Sequence, residues 1–348
     1  MMFETLFNTI LPFVIILTIL VFVHELGHYL AAIKNNVKVE VFSIGFGKEL
    51  FGFTDSTGTR WKFSLLPLGG YVKMHGDLDE ASTKKNENVD PKLSFHNKSI
   101  GQRSIILFAG PAANFIFSII LLVFINCFYG YTTTKPIISS IESNSPAENA
   151  GLKVGDIITD INGSEISDFN SLRNIIVNNN DSEILLTYNR NQKLETVSVL
   201  VTDQKLGIMG TVESNKLNFF ESIIKSSVQF YNFIKLTLVG IFEMITGQRG
   251  TEDLGGPIRI AELSGDFWSK GIQGTLWFMM IISLNLGLIN LFPIPMLDGG
   301  HLLLNAIEYV KGSPLNKKSL EILHTFGLVL LLSLMIFATY NDVLRIIK

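Results

Sequence analysis

The pentapeptide His24-Glu25-Leu26-Gly27-His28 carries the clearest chemistry in this sequence. Residues four apart on a helix share a face, so His24 and His28 can offer two imidazoles to one zinc ion. Glu25, one residue after the first histidine, is placed to take a proton from a water that the metal acidifies. A catalytic zinc usually has three protein ligands and one open position, so a third donor is required. Asp298 is a candidate, in Asn290-Leu291-Phe292-Pro293-Ile294-Pro295-Met296-Leu297-Asp298-Gly299-Gly300-His301. Pro293 and Pro295 break a helix there and free backbone groups. Asp298 equally suits an N-cap for a helix beginning near His301, and the residues alone leave both roles open. His301 is a rival ligand; His75 and His96, on loops, are weaker rivals.

These residues must be positioned at depth. Val14 to Val23, ahead of the motif, are nearly all apolar, and ionisable groups in such a run normally face a protein interior or a water-filled cavity. A chance HExxH would instead lie on a solvated helix. Over the 348 residues, 47% are hydrophobic and 17% charged, against about 25% charged in soluble domains. Mean hydropathy is +0.35. Four runs reach the ~20 apolar residues a bilayer requires: 5–33, 104–134, 271–297 and 322–341. No Lys or Arg precedes Lys34, so the first run lacks the basic start of a cleaved leader and is expected to be a retained helix. The net charge of −3 gives no basic field for nucleic acid. Cys127, the one cysteine, forms neither an internal disulfide nor a thiolate metal site.

Basic residues near the ends of the runs (Lys34, Lys38, Lys98, Arg103, Lys311, Lys317 and Lys318) place the two short loops in the cytoplasm. The N-terminus, residues 135–270 and the C-terminus are then outside. Between the first two runs, Val37 to Val41 alternates at period two, and 49–53 with 61–65 reads as a hairpin turned by Asp55-Ser56-Thr57-Gly58. This predicts a small membrane-associated sheet, followed by a polar loop at 77–90. Residues 136–209 read as a soluble α+β unit. Ser145 and Pro146 start one helix there, a second is expected at 171–177, and a strand ends at the Asn162-Gly163 turn. Residues 219–246 are apolar but carry Glu221, Lys225, Lys235 and Glu243, which suits an amphipathic surface helix.

The expected fold is a multi-pass α-helical membrane protein with four transmembrane helices, a small membrane-associated β-sheet and an inserted α+β domain. Its divisions are 1–33 (first span), 34–103 (sheet and loop), 104–134 (second span), 135–212 (inserted domain), 213–270 (surface segment), 271–298 (third span), 299–321 (cytoplasmic loop) and 322–348 (fourth span and tail).

HELGH in the first run, together with Asn290-x-x-Pro293-x-Pro295-x-x-Asp298-Gly299, resembles the site-2 protease family of intramembrane zinc metalloproteases. Phe42-Ser43-Ile44-Gly45-Phe46-Gly47 resembles the glycine motif of that family's sheet, and Ala109-Gly110-Pro111-Ala112-Ala113-Asn114 its second-helix motif. Residues 136–209 resemble a PDZ domain, and Gly255-Gly256-Pro257-Ile258-Arg259-Ile260-Ala261 the segment ahead of the third helix. The order matches the bacterial regulator of sigma-E protease subgroup along nearly the whole chain, here with room for one PDZ domain.

The resemblance implies that Asp298 is the third ligand of one zinc ion per chain, that Glu25 is catalytic, and that the zinc lies towards the cytoplasmic side. It implies that Asn290, Pro293, Pro295, Gly45 and Gly47 serve substrate binding, and that Leu206, Gly207 and Ile208 form a PDZ peptide-binding site or belong to a size filter. The expected activity is that of a zinc metalloendopeptidase in a bacterial inner membrane. Its substrates would be single-span membrane proteins such as anti-sigma factors or remnant signal peptides, and the enzyme is expected to be a lipid-embedded monomer with an extracytoplasmic PDZ domain. Three rivals are weighed against it. A hydrolase of lipid or a small amide would have no need of a strand-binding edge or a PDZ unit. A scaffold has no use for Glu25 at that depth. A zinc transporter would spread ionisable groups through the spans, whereas spans two and four contain only His324.

Overall fold

The computed structural model describes residues 6–76, 90–166, 168–179, 182–202, 204–248, 250 and 255–347. The loop expected at 77–90 therefore lies, apart from Asp90, outside the described residues. The chain divides into a helical unit, residues 1–125 with 223–348, and a second unit, residues 126–222.

In the helical unit, a π-helical turn (Leu6–Ile10) leads into α1 (Leu11–Lys34), with Pro12 in its first turn, where no amide partner is lost. Its 24 residues extend about 36 Å at 1.5 Å each. α1 ends where Asn36 adopts φ +55°. β1 (Val39–Thr54) and β2 (Arg60–Met74) follow. Each strand bends and pairs twice. Phe42 faces both Val72 and Trp61, and Ile44 faces both Gly70 and Phe63, while Phe53 pairs with Trp61. Two chain segments thus make a four-strand layer in the order 70–74, 39–44, 60–66, 49–54. The expected strands at 37–41 and 49–53 are one bent strand. Gly45 (φ +88°) and Gly47 (φ +87°) stand at the bend, in a region that favours glycine. Phe42 is fully buried, stacks on Trp61 at 4.2 Å and meets Tyr29 of α1 edge-on at 5.7 Å. Phe46, Leu50, Phe51, Phe53, Leu65 and Leu66 stay exposed.

α2 (Ile100–Phe128) starts four residues before the expected second run and stops six before its end. Tyr131 to Thr134, expected as helix, pair with Val212 to Asn215 as strand. α1 and α2 touch backbone to backbone: a Cβ at Gly27 would overlap the Ala109 carbonyl, and one at Gly110 would overlap the His28 ring. Ile16 and Leu20 of α1 share a core with Leu121 and Leu122 of α2 and with Phe278 to Met280 farther along the chain.

In the second unit, β3 (Tyr131–Ile141), α3 (Pro146–Asn149), β4 (Ile157–Ile161), β5 (Ser164–Glu165), α4 (Phe169–Asn178), β6 (Glu183–Arg190), β7 (Lys193–Leu200) and β8 (Ile208–Asn215) form one sheet, ordered β7-β6-β4-β3-β8 with β5 on β4. Ser145 caps α3, its Oγ accepting from Glu148 N at 3.3 Å, with Pro146 next, as expected. Asp168, not foreseen, caps α4, which starts two residues before the expected helix. Ile138, Ile158, Ile161, Leu172, Ile184, Leu186 and Leu206 fill the core. Within it Arg190 donates to Asp156 through Nε (2.7 Å) and Nη2 (2.6 Å). Burial pushes the Asp156 carboxyl up, but the Arg190 guanidinium more than reverses this and holds it below the usual carboxylate range.

The chain returns through α5 (Phe219–Ile245), α6 (Pro257–Ser269), α7 (Gly271–Asn290), α8 (Asp298–Lys311) and α9 (Lys317–Ile347). Residues 299–321, expected as a loop, are largely the helix α8. Five described helices are long and apolar enough to cross a membrane. Four answer to the expected spans; the fifth is α5, the least apolar of them. α6 packs on the turn before α1, and a Cβ at Gly265 would overlap the Asn8 carbonyl. Buried Asp342 of α9 accepts from Gly256 N and Arg259 N, at 3.0 Å each, and so caps α6 from another helix. The start of α1, the start of α7 and the end of α9 therefore share one end of this unit. At the other end, Arg103 pairs with Glu308 (2.8 Å), and Asn305 donates to Ser104 Oγ (3.1 Å), joining α8 to α2.

Candidate metal centre

His24 and His28 lie one helical turn apart on α1, both buried, with Nε2 atoms 3.2 Å apart. The chain leaves the helix at Asn290 and runs through an irregular segment to Asp298, the first residue of α8. Two devices hold that segment. Met296 adopts φ +84°, rare for a side-chain-bearing residue. Gly299, Gly300 and Gly327 are packed so close to the carbonyls of Leu291, Ile294 and Pro295 that a Cβ on any of them would overlap. The result places Asp298 Oδ2 at 3.2 Å from His24 Nε2 and Oδ1 at 3.4 Å from His28 Nε2. The capping position of α8 is Leu297, and no side chain caps it. The carboxylate of Asp298 faces the histidines instead of capping the helix.

The fit to zinc can be tested on these distances. A tetrahedral ion with bonds of about 2.0–2.2 Å separates its donors by about 3.4 Å. The observed separations are 3.2, 3.2 and 3.4 Å. Two bare imidazole nitrogens repel at such a distance unless a proton or a cation lies between them. Among the described residues, these three are the one group of at least three His, Cys, Asp or Glu able to hold a metal ion.

α2 supplies no ligand yet touches both rings. His28 Nδ1 donates to the Ile106 carbonyl at 2.9 Å, which leaves Nε2 bare for a metal. Asn114, fully buried, lies 3.2 Å from His24 Nδ1. The Glu25 side chain lies against Gly70 of the sheet. Segment 70–74 pairs only with 39–44, so its outer edge has no strand partner among the described residues.

The rival histidines are engaged elsewhere. His75 Nδ1 bonds Glu40 at 2.8 Å, the His301 ring meets His324 edge-on at 5.7 Å, and His96 lies beside Phe95. Asn290 ends α7, partly exposed; Pro293 is exposed and Pro295 is packed on Gly327. Gly45 and Gly47 shape the bend of β1. Leu206 is buried, with its carbonyl accepting from Ala147 N at 3.0 Å. The Gly207 carbonyl accepts from Glu142 N at 2.8 Å, and Ile208 opens β8, the terminal strand of its sheet. Sequence reasoning missed Ile106, whose contribution is a backbone carbonyl. It gave Asn114 no role, although the four-residue spacing from Gly110 puts both on one face of α2 towards the histidines.

The family model for peptidase family M50 matches residues 12–334. The chain belongs to peptidase family M50. Curated relatives include proteins of Rickettsia conorii (38% identical, covering 96% of this chain and 98% of that one), Agrobacterium fabrum (35%; 97% and 96%) and Campylobacter jejuni (38%; 96% and 93%). The names of all three give zinc metalloprotease as a provisional assignment. A PDZ domain from Listeria monocytogenes aligns with 24% of this chain and 88% of its own, at 22% identity and a TM-score of 0.19.

Proposed function

We propose that this protein is a site-2-protease-type intramembrane zinc metalloprotease that hydrolyses a peptide bond in or beside the transmembrane segment of its substrate. The observation that carries this reading is the meeting of two Nε2 atoms and one carboxylate at zinc spacing, with both histidines on a helix apolar enough to cross a bilayer. His24, His28 and Asp298 would hold the ion, which would supply a Lewis acid able to polarise the scissile carbonyl and acidify a water. Glu25 takes the proton of that water and returns it to the leaving amine. Asn290 hydrogen-bonds the substrate backbone or the developing oxyanion in this reading, with Pro293 and Pro295 holding the segment that follows it. A substrate helix hides its amides in internal hydrogen bonds and must unwind before attack. The free edge of 70–74, beside Glu25, can receive the unwound strand by β-addition. Gly45 and Gly47 serve that site indirectly, through the bend that forms the sheet. The exposed Phe46, Leu50, Phe51 and Phe53 suit a sheet that dips into lipid.

Membrane topology follows from parity. α1 and α7 start at the same end of the helical unit and bring their other ends to the same site, so they run in one direction. An odd number of crossings must then lie between them. α2 provides one, which supports four spans, with α5 following the membrane rather than completing a fifth crossing. The basic loops put the zinc end in the cytoplasm of a bacterial inner membrane, and residues 126–222 outside as a PDZ domain. There the loop at Leu206-Gly207-Ile208 and the free edge of β8 bind a peptide terminus or exclude bulky substrates. The enzyme acts as a monomer on single-span proteins. Purified enzyme and its Glu25→Gln variant against a panel of single-span substrates test the reading: cleavage by the wild type alone is expected, and cleavage surviving the substitution would sink the mechanism.

A further inference from the structure

We infer that Asn114 is a positioning residue of the zinc site. With its side-chain oxygen turned to His24, it holds that ring as the Nδ1–H tautomer and keeps Nε2 bare for the metal. The inference rests on the zinc reading above and adds to it a helix, α2, that orders both histidine ligands without supplying one.

For His28 the tautomer is settled, because the Ile106 carbonyl can only accept, so Nδ1 carries the proton. For His24 the partner is a carboxamide, whose nitrogen stands 3.2 Å from Nδ1. An amide nitrogen only donates. In that orientation Nδ1 would accept and the ring proton would sit on Nε2, in the space between His28 and Asp298 that a zinc ion needs. Half a turn of the amide removes the conflict: Oδ1 accepts from Nδ1–H, and Nε2 is free. The turn breaks no hydrogen bond at Oδ1, which is buried without a hydrogen-bond partner. The residue itself is fixed, because its backbone carbonyl accepts from Ser118 Oγ and Ser283 Oγ, each at 2.9 Å, in the seam between α2 and α7. The amide can therefore rotate but not leave, and at 0% exposure water does not replace it. A neutral acceptor sets the tautomer without adding a charge at this depth.

The test uses the full chain in detergent, with zinc affinity read by chelator competition. Asn114→Leu keeps the volume and removes the acceptor; Asn114→Asp keeps an acceptor. We expect the Leu variant to lose about 10–100-fold in zinc affinity, the usual loss for an outer-shell partner, and the Asp variant to match or exceed wild type. A mere packing role would make the buried carboxylate at least as harmful as Leu. In ¹⁵N-histidine NMR of the zinc-loaded wild type, His24 should show a protonated Nδ1 and a metal-bound Nε2, a readout that needs no variant to fold. Wild-type affinity in Asn114→Leu, equal losses in both variants, or zinc on His24 Nδ1 would overturn the inference. Failure of the underlying reading would look different: the wild type would hold no stoichiometric zinc.

Discussion

The two units bury a carboxylate in opposite ways. In residues 126–222, Asp156 is closed off by Arg190 through two hydrogen bonds, so charge and hydrogen-bonding capacity are met within the unit. In the helical unit, Asp298 faces two imidazole nitrogens, and among the described residues its ion-pair partners are only these histidines. The first site is closed by a protein cation, whereas the second is shaped by donor atoms at the spacing of a metal ion's ligands. Removing one partner of a closed pair strands a buried charge, whereas a carboxylate grouped with two imidazole nitrogens matches a metal's donor set. The difference lies in the partner: a guanidinium in one unit, two imidazoles in the other.

The largest effect expected on breaking the open site is catalytic. Glu25→Gln keeps the shape and removes the base, and turnover should fall by about 10²–10⁴-fold, the usual contribution of a general base. Zinc content should stay at wild-type level in that variant, since Glu25 supplies no ligand. Next comes Asp298→Ala, which removes a first ligand. Its loss in zinc affinity, by equilibrium dialysis, should exceed the about 10–100-fold expected of outer-shell changes. Gly110→Val tests the approach of α2 to the His28 ring; the added side chain overlaps the imidazole, so zinc affinity and turnover should fall together.

The smallest effect concerns the closed pair and appears only in acid. A carboxyl whose folded pKa is depressed contributes stability above its unfolded value of about 3.9, and loses it as pH falls through the folded value. Full-length wild type should therefore lose stability in the second unit below about pH 4, followed by hydrogen exchange of β4 and β6. Asp156→Asn should flatten that dependence while leaving zinc affinity unchanged. A change in zinc binding there would blur the contrast between the two sites.

Much of the open site was legible because its chemistry is periodic. The i, i+4 spacing of His24 and His28 survives any packing detail, and the Pro293–Pro295 interruption marks where α7 must end. The turn at Asp55 and the caps at Ser145 and Pro146 were legible for the same reason: the signal lies within a few residues. What could not be read depends on contacts across the chain. Asp342 caps α6 from more than eighty residues away, Ile106 acts through a carbonyl every residue possesses, and the double pairing of β1 and β2 follows from a bend that period-two patterning does not record. α5 shows the limit of composition: four charges suggested a surface helix, yet its length and apolar content also meet the requirement for a span.

The central claim is that two imidazoles and one carboxylate from α1 and α8 hold a zinc ion. X-ray absorption at the zinc edge of the purified full-length protein tests it most directly. The account predicts one zinc per chain with only nitrogen and oxygen donors near 2.0–2.2 Å, a two-imidazole scattering pattern, and loss of one imidazole in His24→Ala. A sulfur donor, or a spectrum unchanged by His24→Ala and Asp298→Ala, would contradict it.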